Sequence, residues 1–97
     1  MANRHLSRSI VLQSLFEWDL NNIEKNMVHE TLTRNVEEFA PNKSDTPFMQ
    51  KLLDGVLGKQ SELDLVIEKA APEWPIDRIA PVDRNILRLG LYELLFS

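Results

Sequence analysis

Ile79-Ala80-Pro81-Val82-Asp83-Arg84-Asn85-Ile86-Leu87-Arg88-Leu89-Gly90-Leu91-Tyr92-Glu93-Leu94-Leu95-Phe96 is the stretch whose spacing decides the fold class. Pro81 suits the first turn of a helix, because its φ is already helical and it has no N–H to leave unpaired. Asp83 follows where the helix dipole is positive. Apolar residues then recur at Val82, Ile86, Leu89 and Leu94, and a second row, Leu87, Leu91 and Leu95, runs at four-residue steps. Between them lies a narrow polar strip of Arg84, Arg88 and Glu93. A helix with so much apolar surface is expected to be surrounded by others, as the core helix of a bundle.

Upstream, Pro72 stops a helix and Pro75 keeps the following residues extended. Trp74, Ile76 and Ile79 are expected to pin this connector onto the bundle, although Trp74 also has the chemistry of a base-stacking platform. Before the connector, Phe48, Leu52, Leu53, Val56, Leu57, Leu63, Val66 and Ile67 predict one long helix, or two nearly collinear pieces broken near Gly58 and ending at Ala70 or Ala71. Thr46-Pro47 reads as its N-cap and first helical residue, and Ser61 to Asp64 as a loose recapping signal. Gly55 and Gly58 each weaken the helix by roughly 1 kcal/mol against alanine, but let a neighbouring helix come close.

A loop is expected from Ala40 to Asp45. An outer helix precedes it, from about Met27 to Phe39, with a thin stripe of Val28, Leu32, Val36 and Phe39. The first helix is expected from about Leu6 to Asn21, with Ile10, Val11, Leu15, Trp18 and Leu20 on its apolar side. Arg4 and Arg8 stand four apart at its start beside His5, with no acid before Glu17. Cations there oppose the helix dipole. Two readings of this patch stand side by side: a solvated face whose arginine stems cover apolar surface, and a phosphate-binding patch.

With no period-two strand pattern and no internal repeat, the expected fold is all-α: a single domain over 1–97, a helical bundle of about five elements. Hydrophobic content of 43% and charged content of 27% are those of an ordinary globular chain. Cysteine is absent, which removes disulfides, thiolate metal sites and a cysteine nucleophile, and fits a reducing cytoplasm. No apolar run approaches the ~20 residues that span a bilayer, so no membrane association is expected. The net charge of −4 argues against bulk attraction to nucleic acid, yet leaves room for a local basic face.

Motifs of chemistry are missing. The chain has no glycine-rich phosphate loop, no His-Glu-x-x-His and no nucleophile elbow. His5 and His29 have no acidic or second-histidine partner at ligand spacing, and His29 reads as solvated. Neither catalysis, a metal nor a cofactor is expected, and a binding role is left.

Val82 to Leu95 resembles the signature segment of the NusB family of transcription antitermination factors. Trp74 to Ile79 is similar to the family's linker, Gln13 to Leu20 to its first helix, and Leu52 to Val56 to its third. The resemblance implies an all-helical protein that binds the boxA element of ribosomal RNA leader transcripts. It would act with the small-subunit ribosomal protein NusE, inside an antitermination complex on RNA polymerase. On RNA the resemblance places Arg4, His5 and Arg8, with Phe16 near them; a buried phenylalanine explains Phe16 as well. Asp83 matches an acidic position facing the ribosomal protein, with Arg84 beside it, and a simple dipole preference is the competing account of Asp83.

Two departures accompany the resemblance. Leu6 and Ser7 stand where the family's arginine run has more cations, so binding to RNA without a partner is expected to be weak. The family's last helices are also absent after Ser97, so a C-terminally truncated bundle is expected, its exposed Leu87, Leu91 and Leu95 row covered by self-association. The same helical module also resembles the N-terminal RNA-binding accessory domain of a family of ribosomal RNA cytosine methyltransferases, and a purely protein-docking module is the third reading.

Overall fold

The computed structural model describes residues 4–41 and 45–97. Five helices follow in order: α1 (Arg4–Asn21), α2 (Val28–Phe39), α3 (Thr46–Gly58), α4 (Gln60–Ala70) and α5 (Pro81–Leu95). Single 3₁₀ turns at Lys25–Met27 and Ile76–Arg78 sit in the first and last connections. Among the described residues there is no strand. The all-α bundle expected from the sequence is the fold observed. Residues 42–44 of the expected loop lie outside the described residues.

The hub is α1, which packs against α2, α3 and α5. Ser7, Ile10, Val11, Ser14, Leu15 and Trp18 are buried at helical spacing on its inner face. The two serines thin that face. The Ser14 hydroxyl donates to the Ile10 carbonyl at 2.9 Å and accepts from the buried Asn35 amide of α2 at 3.1 Å. The α1 helix closes at Asn22, whose φ of 54° is a left-handed conformation that asparagine tolerates, while the Ile23 N–H reaches the Trp18 carbonyl at 3.1 Å.

Several expectations change in detail. The α3 helix starts one residue early: Asp45 is the N-cap, its carboxylate accepting from the Phe48 N–H at 3.2 Å, and Pro47 is in the second helical position. Of the two alternatives for the long segment the structure has two helices, parted at Lys59 beside Gly58 and ending at Ala70, as one of them expected, but no side chain recaps α4. Gly55 does admit α5, since a Cβ there would meet the Tyr92 ring at 2.1 Å; Gly58 has nothing within 4 Å and no such role. On α2, Phe39 faces out and Asn35 is buried instead. Trp74 does not pin the connector: it is 68% exposed, and only Ile76 and Ile79 are half-buried.

The largest correction concerns α5. Its buried residues are Asn85, Arg88 and Leu89, whereas Val82, Ile86 and Leu94 are exposed; Leu87 and Leu95 are exposed as expected of their row, but Leu91 is half-buried against the core. Of the polar strip, Arg84 and Arg88 turn inward, where two carboxylates meet them, while Glu93 pairs with Arg8 of α1. Arg84 and Arg88 both pair with Asp19 of α1, and the Asn85 amide donates to it at 2.8 Å. Arg88 also grips Asp64 of α4, with Nε at 2.7 Å and Nη2 at 3.0 Å from its two oxygens. Burial alone would raise the Asp19 carboxyl, but the hydrogen bonds of Arg84 and Asn85 and the charges of both arginines outweigh it and hold the group below its ordinary value. Every buried side-chain polar atom among the described residues has a partner. A satisfied ionic core of this kind specifies one orientation of α5, which apolar spacing alone leaves open.

Candidate nucleic-acid interface

The α1 helix already runs at Arg4, so Arg4 and Arg8 lie one above the other on a single face. Both meet the ring of Phe48, at the start of α3. The Arg4 guanidinium carbon stands 4.0 Å from the ring centroid, and that of Arg8 stands 5.5 Å away. At these distances the guanidinium planes are attracted to the π face, more strongly where water is excluded. Phe48 is half-buried against the core, so the platform is fixed.

Two carboxylates that are remote in sequence enter this patch. Glu93 of α5 accepts from Arg8 Nε at 2.9 Å on both oxygens, and Asp45 lies 3.8 Å from Arg4. The expectation of a start without acids therefore holds along the helix and fails in space. Exposed pairs like these are weak, typically below about 1 kcal/mol, so they orient the arginines without locking them. His5 is exposed beside them. Phe16 is half-buried and not part of the cluster; helix rise puts it roughly 12 Å farther along α1 than Arg8.

Asp83 is exposed in the first turn of α5 and lines a shallow cleft with Glu73, Trp74, Pro75, Arg78, Ile79 and Ala80. Arg84, next to it in sequence, turns into the bundle. Its Nε and Nη2 are taken by Asp19, and its Nη1 donates to the Ile76 carbonyl at 3.3 Å and the Ile79 carbonyl at 3.1 Å. The Asp19 hydrogen bond raises the already high Arg84 pKa further. Arg84 is thus a staple between α1, the connector and α5, not a free contact beside Asp83.

His29 is solvent-exposed, as read from its polar surroundings. Its Nε2 lies 2.6 Å from the Asp54 carboxylate of α3, an acidic partner that sequence spacing cannot show because the two are 25 residues apart. Among the described residues, no group of three or more His, Cys, Asp or Glu side chains could hold a metal ion. No helix among the described residues is long and apolar enough to cross a membrane.

The sequence brought Arg4, His5 and Arg8 together; only the structure sets Phe48, Asp45 and Glu93 beside them and Lys51 in the same cleft. One local signal was present: Phe48 and Lys51 are three apart on α3, an aromatic and a cation on one helix face.

The NusB family model matches residues 5–97. The chain is 40% identical over 93 residues to the transcription antitermination protein NusB of Desulforudis audaxviator (strain MP104C), covering 96% of this chain and 65% of that protein. It is likewise 40% identical over 94 residues to the transcription antitermination protein NusB of Bacillus subtilis (strain 168), covering 97% and 66%. A third relative, the transcription antitermination protein NusB of Chloroflexus aggregans (strain MD-66 / DSM 9485), is 34% identical over 96 residues. No solved structure gives a significant match. The chain spans less than two thirds of the length of the first two of these relatives. With a bundle of five helices, a cationic end built on α1 and a match that runs from His5 to Ser97, the chain belongs to the NusB family.

Proposed function

We propose that this chain is the RNA-gripping part of a transcription antitermination factor and has no catalytic role. Arg4, His5 and Arg8 take the backbone of a boxA-like single-stranded element in ribosomal RNA leader transcripts. The Asp83 side receives the small-subunit ribosomal protein NusE, and the assembly joins the antitermination complex on RNA polymerase in the cytoplasm. The observation that carries the reading is the pair of arginines stacked over Phe48 at one end of the bundle. The names of the similar proteins favour it over a methyltransferase accessory domain. Phe16, set apart along α1, is a lesser contact.

Few cations face the RNA here, so binding by the chain alone is weak and salt-sensitive; for single strands, log K falls with log salt by about 0.7 per phosphate contact. The test is fluorescence anisotropy of a labelled boxA-like RNA across a salt series, with and without NusE. Binding is expected to prefer boxA over a scrambled RNA, to tighten with the partner and to weaken for Arg4→Ala plus Arg8→Ala. Equal affinity for both RNAs with partner present would overturn the boxA reading, and a partner effect unchanged by Asp83→Ala would move the docking surface elsewhere.

A further inference from the structure

The arginine patch has a second wall. Arg4, Asp45, Phe48, Lys51 and Tyr92 line one open cleft of about 370 Å³ between the start of α1, the start of α3 and the later turns of α5. Its charges are unevenly matched. Arg8 meets both oxygens of Glu93, so part of its charge is already answered at the rim. Arg4 faces Asp45 only at 3.8 Å, and that carboxylate is also engaged by the Phe48 N–H. Lys51 is exposed and makes no ion pair among the described residues. The least-answered cations of this end are therefore Arg4 and Lys51, one on each of the cleft's two helices.

Phe48 has its own part in this. A guanidinium lying flat on a ring keeps its N–H edges in the plane of the stack, directed outward to an acceptor, and loses less rotamer freedom when it binds one. Lys51, three residues on, presents its ammonium from the same face of α3.

We infer that the RNA face is made by two helices: Lys51 of α3 is a phosphate contact equal in rank to Arg4, and Phe48 is the residue that positions Arg4. This rests on the RNA-binding reading above and adds residues which that reading did not contain. The ligand is the phosphate backbone of an unpaired strand, entering between α1 and α3.

The experiment compares wild type with Lys51→Ala, Lys51→Arg and Phe48→Leu, and with Lys69→Ala in the last turn of α4 as a control, on the same labelled RNA over a salt series. Lys51→Ala is expected to weaken binding several-fold and to lower the salt slope by about 0.7, while Lys51→Arg keeps both and Lys69→Ala changes neither. Phe48→Leu keeps an apolar side chain under the patch; in that background Arg4→Ala should cost clearly less affinity than it does in wild type. Lys51 is exposed, so its loss leaves folding intact and that arm stands even if Phe48→Leu unfolds. Should wild type bind and Arg4→Ala weaken it while Lys51→Ala keeps the wild-type affinity and slope, the two-helix face is overturned and the RNA reading survives. An additive Arg4→Ala effect in a folded Phe48→Leu background would remove Phe48 from its positioning role. No binding by wild type, alone or with the partner, would overturn both readings.

Discussion

Two arginine pairs at the same helical spacing do opposite work in this molecule. Arg84 and Arg88 on α5 point into the bundle, where Asp19 and Asp64 surround them; Arg88 is 4% exposed. Arg4 and Arg8 on α1 stand at the rim, each with a single carboxylate and a shared aromatic ring. Sequence spacing treats the two pairs alike. Burial separates them, because a charge out of water must be answered in full, whereas a charge at the rim keeps its solvent and stays available to another anion.

The sharpest way to break the comparison is to remove the shared carboxylate of the inner pair. Asp19→Ala leaves Arg84 and one side of Arg88 buried without an answer, which typically costs roughly 3–5 kcal/mol. That is a large share of what holds a domain of this size together. Urea titration should show the loss, and a change below ~1 kcal/mol would mean that water or a rearranged Asp64 answers the arginines.

Next in size is acid. Asp19 and Glu17 both have folded values below their ordinary 3.8 and 4.5. For Glu17, burial acts to raise it and is outweighed by hydrogen bonds from Asn35, Arg34 and Gln13. A depressed carboxyl contributes stability that is complete above its unfolded pKa and is lost as pH falls through the folded one. Melting temperature should therefore be level from neutral pH to about 5 and fall below it, and Asp19→Asn should flatten part of that fall. A melting temperature that rises on acidification would contradict the inner network.

The outer pair should respond in the other currency. Arg4→Ala plus Arg8→Ala is expected to change stability by less than about 1 kcal/mol, the scale of exposed ion pairs, while lowering the salt slope of RNA binding by about 0.7 to 1.4, since Glu93 already answers part of the Arg8 charge. Loss of folding without loss of slope would make this pair structural as well. The smallest expected effect is Glu93→Gln, which frees Arg8: anisotropy should report RNA binding tightened by a few-fold or less, with unfolding almost unchanged.

Much of this protein is legible one segment at a time. The five helices, the stop at Pro72, the start at Pro81 and the end of α1 at Asn22 follow from short-range chemistry that acts within a turn or two. The arginine patch was legible for the same reason, since Arg4, His5 and Arg8 are neighbours on one helix. Its other half was not, because Phe48, Lys51 and Glu93 reach it only after α3 and α5 pack on α1. The exposed Trp74 was misread because a tryptophan between prolines looks like an anchor, and nothing local says whether a surface lies beneath it.

The amino-acid sequence by itself determined the class, the helices and the family, since hydrophobic period, proline placement and motif are properties of neighbouring residues. The tertiary structure alone decided which side of α5 faces inward. Its apolar rows are wide enough to suit either orientation, and the choice falls to Asp19 and Asp64, carboxylates on other helices whose burial beside Arg84 and Arg88 is stable only when all four charges meet.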